Sequence, residues 1–314
     1  MAQSTATFTK GNIWMDDGNI LLLVGNANFK VHQSVLALHS EVFRDMFSIP
    51  GMEAESDHMD GLPLVRLSDD AREMGLFLEA MYDGIRFFVR DTPNFEKIIA
   101  VIRLGTKYEV PHLRLEGIRQ LRPYLSYITG GLTLASEKHW KPEYAIPLAN
   151  LSDELDLLDI LPTALYGCSQ LGTSIIDGME HEDRIQERLS SLNLKRCLMA
   201  RGKLVVMQSR AMTDAHFCIA SCSCDCQLQG GDEQCLGKTL FVETQPFRQD
   251  VNVWDPLRRL AVWWREMSSL SLCKTCLSTA SSFYNDSRMK IWKELPEVFS
   301  LTPPSPTKVS QDDH

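Results

Sequence analysis

The 314-residue chain has no stretch that approaches the roughly 18 uninterrupted apolar residues of a membrane-spanning helix. Its first residues, "MAQSTATFTKGNIWMDDGN", lack both the basic start and the apolar run of a secretory signal. Together these absences predict an intracellular protein, with nucleus and cytoplasm left open. Positive charge is scarce as well: 32 Lys and Arg stand against 41 Asp and Glu, a formal net charge of -9, which repels a phosphate backbone and works against nucleic-acid binding. The nearest approach to a basic patch is Arg258, Arg259 and Arg265, read as a solvated helix face. Walker A, H-E-x-x-H, G-x-S-x-G and dinucleotide-binding glycine patterns are missing, and with them the common signatures of enzymes. Cysteine is not scarce, but the count of nine is odd. That suits free thiols or a metal in a reducing compartment better than a disulfide framework.

What is present reads as a folded protein, with 44% hydrophobic and 23% charged residues and enough length for two domains. The run Ile20 to Val24, "ILLLV", is a short strand closed by Gly25-Asn26, and Phe29-Lys30-Val31 completes a hairpin. Val35, Leu36 and Leu38 form the inner face of a short helix, and Ser40 N-caps the next one with Glu41 in its first turn. Val42, Phe43, Met46 and Phe47 then make a single apolar stripe. The polar stretch from Ile49 to Pro63 predicts a mobile loop, and Leu64 to Leu67 a further strand. Asp69 to Met81 reads as a helix with carboxylates at its N-terminus. Phe95 to Tyr108 and Leu113 to Leu125 read as two amphipathic helices, separated by a helix-stopping Pro111. Gly130-Gly131 marks a boundary. The remainder is expected to be mainly helical, with helices over Leu155 to Tyr166 and Asp183 to Leu192, and the end, "SLTPPSPTKVSQDDH", to be a disordered tail.

Five separated pieces occur in the order found in one family: Asp17-Gly18-Asn19, then "FKVHQSVLALHSEVFRDMF", "PLVRLSDDA" at 63 to 71, "FLEAMYDG" at 77 to 84 and "LGTKYEVPHL" at 104 to 113. On these residues the first section resembles a BTB/POZ domain. In "DGNI", "SEVFRDMF" and the Pro-Leu-Val-x-Leu strand it looks most like the fungal branch. The resemblance implies an α+β chain: a disordered N-terminus over 1–11, a BTB/POZ fold over 12–128 with a small sheet flanked by helical hairpins, a mainly α-helical C-terminal region with a Cys-rich segment over 129–300, and a disordered tail over 301–314. It marks Asp17, Phe29, His32, Leu36, Ser40, Phe43, Phe47, Tyr82 and Tyr108 as structural signature residues and no residue as catalytic. The implied activity is protein–protein association: homodimers, heterodimers, or docking to cullin-3 as a ubiquitin-ligase adaptor. A transcriptional co-regulator is a further alternative, weakened by the absence of a DNA-binding motif. The chain also departs from the family. Gln33 stands where a basic residue usually follows the histidine, so the usual charged pocket with Asp17 does not form. "GMEAESDHM" has no apolar residue two places before Glu53 or Glu55, which weakens the cullin-3 alternative. Ile13, Trp14 and Met15, in a polar N-terminal arm, are the expected interface.

His32 is expected to be a packed residue bonded to a backbone carbonyl, and His39 to be half exposed. His39-Ser40-Glu41 and Cys273-Lys274-Thr275-Cys276 look like halves of a zinc deaminase site. They lie far apart in the chain, and Leu272 replaces the expected Pro. The thiols themselves suit a structural zinc: the pair Cys273 and Cys276 with Cys226 and Cys235, or with Cys222 and Cys224 as substitutes, makes a Cys₄ set. Buried reduced cysteines are the equal alternative, and a redox C-x-x-C lacks its βαβ setting. Ile291 to Phe299, following the C-x-x-C, resembles the C-terminal region of fungal BTB proteins. Trp254, Trp263, Trp264 and Trp292 read as core or interface anchors.

Overall fold

The five apolar residues Ile20–Val24 form strand β2, and every one of them is buried. A run without polar alternation belongs in a strand covered on both faces. The structure is a computed structural model that describes residues 8–49, 58–89, 94–128, 141–181, 186–221, 257 and 274–301. It divides into two compact units, Met1–Arg122 and Pro123–His314.

In the first unit β2 is the central strand of a five-stranded mixed sheet that also holds β1 (Thr9–Trp14), β3 (Ala27–Val31), β4 (His58–Met59) and β5 (Leu62–Leu67), in the order β1-β3-β2-β5-β4. β2 and β3 are an antiparallel hairpin, from Ile20 opposite Val31 to Val24 opposite Ala27. Gly25 turns it at a φ of 60°, a conformation that glycine adopts without steric cost. β5 joins β2 in parallel, Leu22 opposite Val65, so a crossover must connect them. Helices α1 (Gln33–His39) and α2 (Glu41–Ser48) lie in that crossover. Ile20, Leu22 and Val24 enter the main core with Phe29, Leu36, Phe43 and Phe77. Leu21 and Leu23 meet Leu64 on the other face, packed by Phe8, Trp14, Met59 and Leu62.

The N-terminus expected to be disordered through residue 11 is already a strand at Thr9. β1 pairs in parallel with β3, Thr9 opposite Ala27, and the Thr9 N–H donates to the Asn26 carbonyl at 2.8 Å. A second correction concerns α1, where only Leu36 is buried and Leu38 is 71% exposed. Residues two apart on a helix point to different sides, so Leu36 and Leu38 cannot share an inner face.

Four more helices complete the unit: α3 (Ala71–Asp83), α4 (Ile85–Val89), α5 (Phe95–Lys107) and α6 (Pro111–Ile128). Asp70 caps α3 by accepting from the Glu73 N–H, and Asn94 caps α5 by accepting from the Glu96 N–H. The stop between α5 and α6 is made by Glu109, at a φ of 50°. The Val110 N–H closes back on the Gly105 carbonyl at 2.8 Å, a left-handed helix ending. Pro111, read from sequence as the stop, is the first residue of α6, where its missing N–H leaves no bond unmade.

The second unit is largely helical. A short 3-10 turn (Pro142–Tyr144) leads into α7 (Ala145–Glu154), followed by α8 (Leu161–Ser169), α9 (Ser174–Asp177), the small hairpin β6 (Met179–Glu180) and β7 (Gln186–Glu187), then α10 (Ser191–Ser221) and α11 (Lys274–Val298). In α8 only Gly167 is not buried, as expected of a helix without a polar face. Cys168 of α8 donates to the Ala145 carbonyl at 3.1 Å, and Cys197 of α10 donates to the Leu165 carbonyl at 3.5 Å. Burial pushes the Cys168 thiol up, and the adjacent Cys197 adds to the shift.

Two helices read from sequence are corrected here. Leu155 to Tyr166 is not continuous: Asp156 takes a φ of 52°, and α8 starts afresh at Leu161-Pro162. Asp183 to Leu192 has helical propensity, but Gln186 and Glu187 pair with β6. Ser190 then accepts from the Asn193 N–H, so α10 begins only at Ser191. A local left-handed helix ending breaks the first run, and strand pairing overrides helical propensity in the second. Among the described residues no helix is long and apolar enough to cross a membrane.

Candidate interaction surfaces

The signature residues fall into two polar clusters joined by core side chains. In the first, the backbone N–H of His32 donates to Tyr82 Oη at 2.9 Å, His32 Nδ1 lies 3.1 Å from the same oxygen, and His32 Nε2 lies 3.1 Å from Asp17 Oδ1. His32 is thus held by a hydroxyl and a carboxylate, not by the backbone carbonyl expected from sequence. With Tyr82 Oη accepting from the backbone, we assign its own proton to Nδ1, which leaves the imidazole proton on Nε2, facing Asp17. Burial raises the Tyr82 phenol; the bond from His32 works against that shift, and Asp17 adds to it. Asp17 takes His32 as its partner, and Gln33 instead gives its backbone N–H to Asn19 Oδ1 at 2.8 Å. Asp17 is 87% exposed, so its pairing contributes little to stability.

The second cluster surrounds Tyr108. Its ring stacks on Phe43, centroids 4.5 Å apart, and Phe43 also stacks with Phe47. The Tyr108 hydroxyl donates to Asp69 Oδ2 at 2.5 Å, and Lys107 holds Oδ1 of the same carboxylate. Burial and Asp69 both push the Tyr108 phenol up. Ser40 works in two directions: its hydroxyl donates to the Tyr108 carbonyl at 2.5 Å and accepts from the Phe43 N–H at 3.0 Å. The cap predicted from sequence is therefore also a bolt between α2 and the end of α5. Arg72 with Glu96, and Arg103 with Glu73, tie α3 to α5. Phe29 and Leu36 are fully enclosed in the core.

Ile13, Trp14 and Met15 are half-buried. They do not form one exposed patch, because successive side chains of a strand point to opposite faces. Ile13 packs on the main core and Trp14 on the opposite cluster, with Lys10 Nζ 4.7 Å over its ring.

A groove of about 520 Å³ lies between the α1–α2 corner and the α5–α6 corner, lined among others by Leu38, His39, Arg44, Glu109, His112 and Arg114. The His39 and His112 rings are 5.3 Å apart. Burial lowers the pKa of His112, and the neighbouring His39 lowers it further. Arg44 Nε donates to the Ala37 carbonyl and Arg114 Nε to Thr106 Oγ1, which fixes both guanidinium groups at the rim. Sequence reasoning placed His39 at a helix junction and missed the groove, whose two walls are far apart in the chain.

Of the proposed zinc ligands, Cys226, Cys235 and Cys273 lie outside the described residues, as do the substitutes Cys222 and Cys224. Cys276 falls in α11, with its side chain outside the description. Among the described residues no group of three or more His, Cys, Asp or Glu side chains is placed to hold a metal ion. Comparison with curated proteins finds no match. Residues 16–122 match the family model of the BTB/POZ domain, a protein–protein interaction module, and this part of the chain is a BTB/POZ domain.

Proposed function

We propose that the chain works by binding and carries out no catalysis: its BTB/POZ domain brings protein chains together as homo- or hetero-oligomers and docks further partners. The observation that carries this reading is the family match over residues 16–122. Strand β1 supports it, since it precedes the matched residues, stands at the sheet edge and carries the half-buried Ile13 and Trp14, with the half-buried Met15 directly after it. An edge strand offers backbone groups to a second chain. Size-exclusion chromatography with light scattering tests it: a dimer is expected at about tens of micromolar, an ordinary affinity for such association, and a strict monomer there overturns the homodimer.

The adaptor alternative keeps the domain and uses the helical second unit to present a substrate to a cullin-3 ubiquitin ligase. It is supported by the groove at the helix corners and opposed by the lack of an apolar residue two places before Glu53 or Glu55. Pull-down with cullin-3 decides, and no retention returns the chain to a general scaffold. The transcriptional co-regulator reading has less support. The remaining proposals are a kinship with fungal BTB proteins, an intracellular location and a structural zinc on Cys226, Cys235, Cys273 and Cys276. Elemental analysis of the chain before and after replacing Cys273 and Cys276 by Ser tests the zinc. Unchanged metal content removes it.

A further inference from the structure

α10 has a buried face and an exposed one of unusual make-up. Cys197, Ala200 and Leu204 are buried. On the opposite side Leu192, Leu198, Met199, Val205 and Val206 are between 47% and 64% exposed. Leu192, Met199 and Val206 repeat every seven residues, as do Leu198 and Val205, which is the spacing of a seam between paired helices. At the middle of this face is Gly202, where a Cβ would meet nothing within 4 Å, so a second helix can approach closely.

The charge of this face is opposite to that of the whole chain. From Ser191 to Thr213 the sequence holds Lys195, Arg196, Arg201, Lys203 and Arg210 and no Asp or Glu, in a protein of net charge -9. Arg196 turns to Asp153 and Arg201 to the Gly172 carbonyl. Lys203 donates to the Val298 carbonyl at 3.3 Å; Lys195 and Arg210 are exposed and fall within or beside the apolar arc on a helical projection. Like charge opposes pairing with a second copy: an antiparallel copy centred on Gly202 would set Lys195 beside the Arg210 of the other. A membrane surface fits poorly, because the arc has no Trp, Tyr or Phe and places Lys195 among its apolar residues.

We infer that the exposed face of α10 docks an amphipathic helix of a partner protein, apolar along its seam and acidic at its flanks. The apolar side chains supply the buried contact, and Lys195 and Arg210 select the partner's sign of charge. This surface lies outside the BTB/POZ domain and does not depend on the reading given for it.

The test uses the full chain and two fluorescent synthetic helical peptides with the same Leu seam, one flanked by Glu and the other by Lys. The Glu peptide is expected to bind with a Kd of about 100 micromolar or tighter and to weaken as salt is raised, with the Lys peptide at least about tenfold weaker. Met199→Glu with Val206→Glu, and separately Lys195→Glu with Arg210→Glu, should each weaken the Glu peptide about tenfold or more. All four positions are exposed, so the melting temperature should hold. Should the first pair unfold the protein, the second, which changes only solvated charges, decides. Equal binding of the two peptides, no binding of the Glu peptide, or binding indifferent to the variants overturns the proposal. So does sedimentation with phosphatidylserine vesicles that Met199→Glu abolishes, which assigns the face to a membrane. Dimerisation that Met199→Glu abolishes assigns it to a second copy and overturns the proposal equally.

Discussion

The two units bury similar apolar cores but fasten them differently. In the BTB/POZ domain polar groups bind elements far apart in sequence: Ser40 to Tyr108, Tyr108 to Asp69, His32 to Tyr82. In the helical unit the buried serines close local bonds, Ser152 to the Leu148 carbonyl and Ser169 to the Tyr166 carbonyl, while the Tyr166 hydroxyl reaches farther and accepts from the Leu257 N–H at 3.0 Å. There the thiols of Cys168 and Cys197 take up carbonyls between helices. A long-range polar bond specifies which elements meet and in what register, whereas apolar packing accepts many arrangements of similar volume.

The largest effects should not separate the units, because both rest on packing. Phe43→Ala removes a fully buried ring stacked on Tyr108 and is expected to destabilise by about 3–5 kcal/mol. Leu165→Ala, at the centre of α8, should cost about 2–5 kcal/mol for the same reason. Urea denaturation followed by circular dichroism measures both. A loss under about 1 kcal/mol at either site would show that its core is not the one described.

Buried serines should split the units. Ser40 and Ser169 are both fully buried. Ser40→Ala removes a helix cap and also leaves the Tyr108 carbonyl without its donor, for about 2–3 kcal/mol in all. Ser169→Ala removes only a bond to its own helix and should cost under about 1 kcal/mol. Equal costs would erase the distinction drawn between the two units.

The same contrast explains what could be read from the sequence. Turn, cap and strand signals at Gly25-Asn26, Ser40 and "ILLLV" are local, and each marked its element correctly. The signature residues marked the domain because their long-range partners restrict what each position tolerates. His32 was misplaced because its partners, Asp17 and Tyr82, are remote in sequence, and either could have been replaced by a carbonyl with the same pattern of residues. In the helical unit, periodicity gave the class but not the breaks. Asp156 and Ser190, which set them, look like ordinary surface residues until their backbone is seen. The groove at His39 and His112, and the basic apolar face of α10, depend on which sides of helices stay uncovered.

A smaller effect probes the corner between α5 and α6, where the domain accepts backbone strain to close the helix end. Glu109 sits at a φ of 50°, a region where a side chain is penalised. Glu109→Gly should therefore stabilise by about 0.5–1 kcal/mol, readable as a higher urea midpoint at unchanged slope. Asp156 makes the matching test in the second unit, also at positive φ, and its Gly variant should gain a similar amount. A gain at one corner only would mean that the other has its strain offset by contacts of the side chain.

The weakest effect is a pH dependence confined to the BTB/POZ domain. Burial and His39 hold the pKa of His112 below its ordinary value, so the unfolded chain binds the proton more tightly than the folded one. The contribution is therefore fully present above the unfolded value of about 6.5 and is lost as pH falls from there through the lower folded value. His112→Asn keeps a polar side chain in the groove and removes the titration. The variant should match the parent above neutrality and lose less stability than the parent between about pH 6.5 and pH 5. Urea midpoints across that range measure the difference. If the parent and variant curves stay parallel, the folded protein does not hold His112 below its ordinary value.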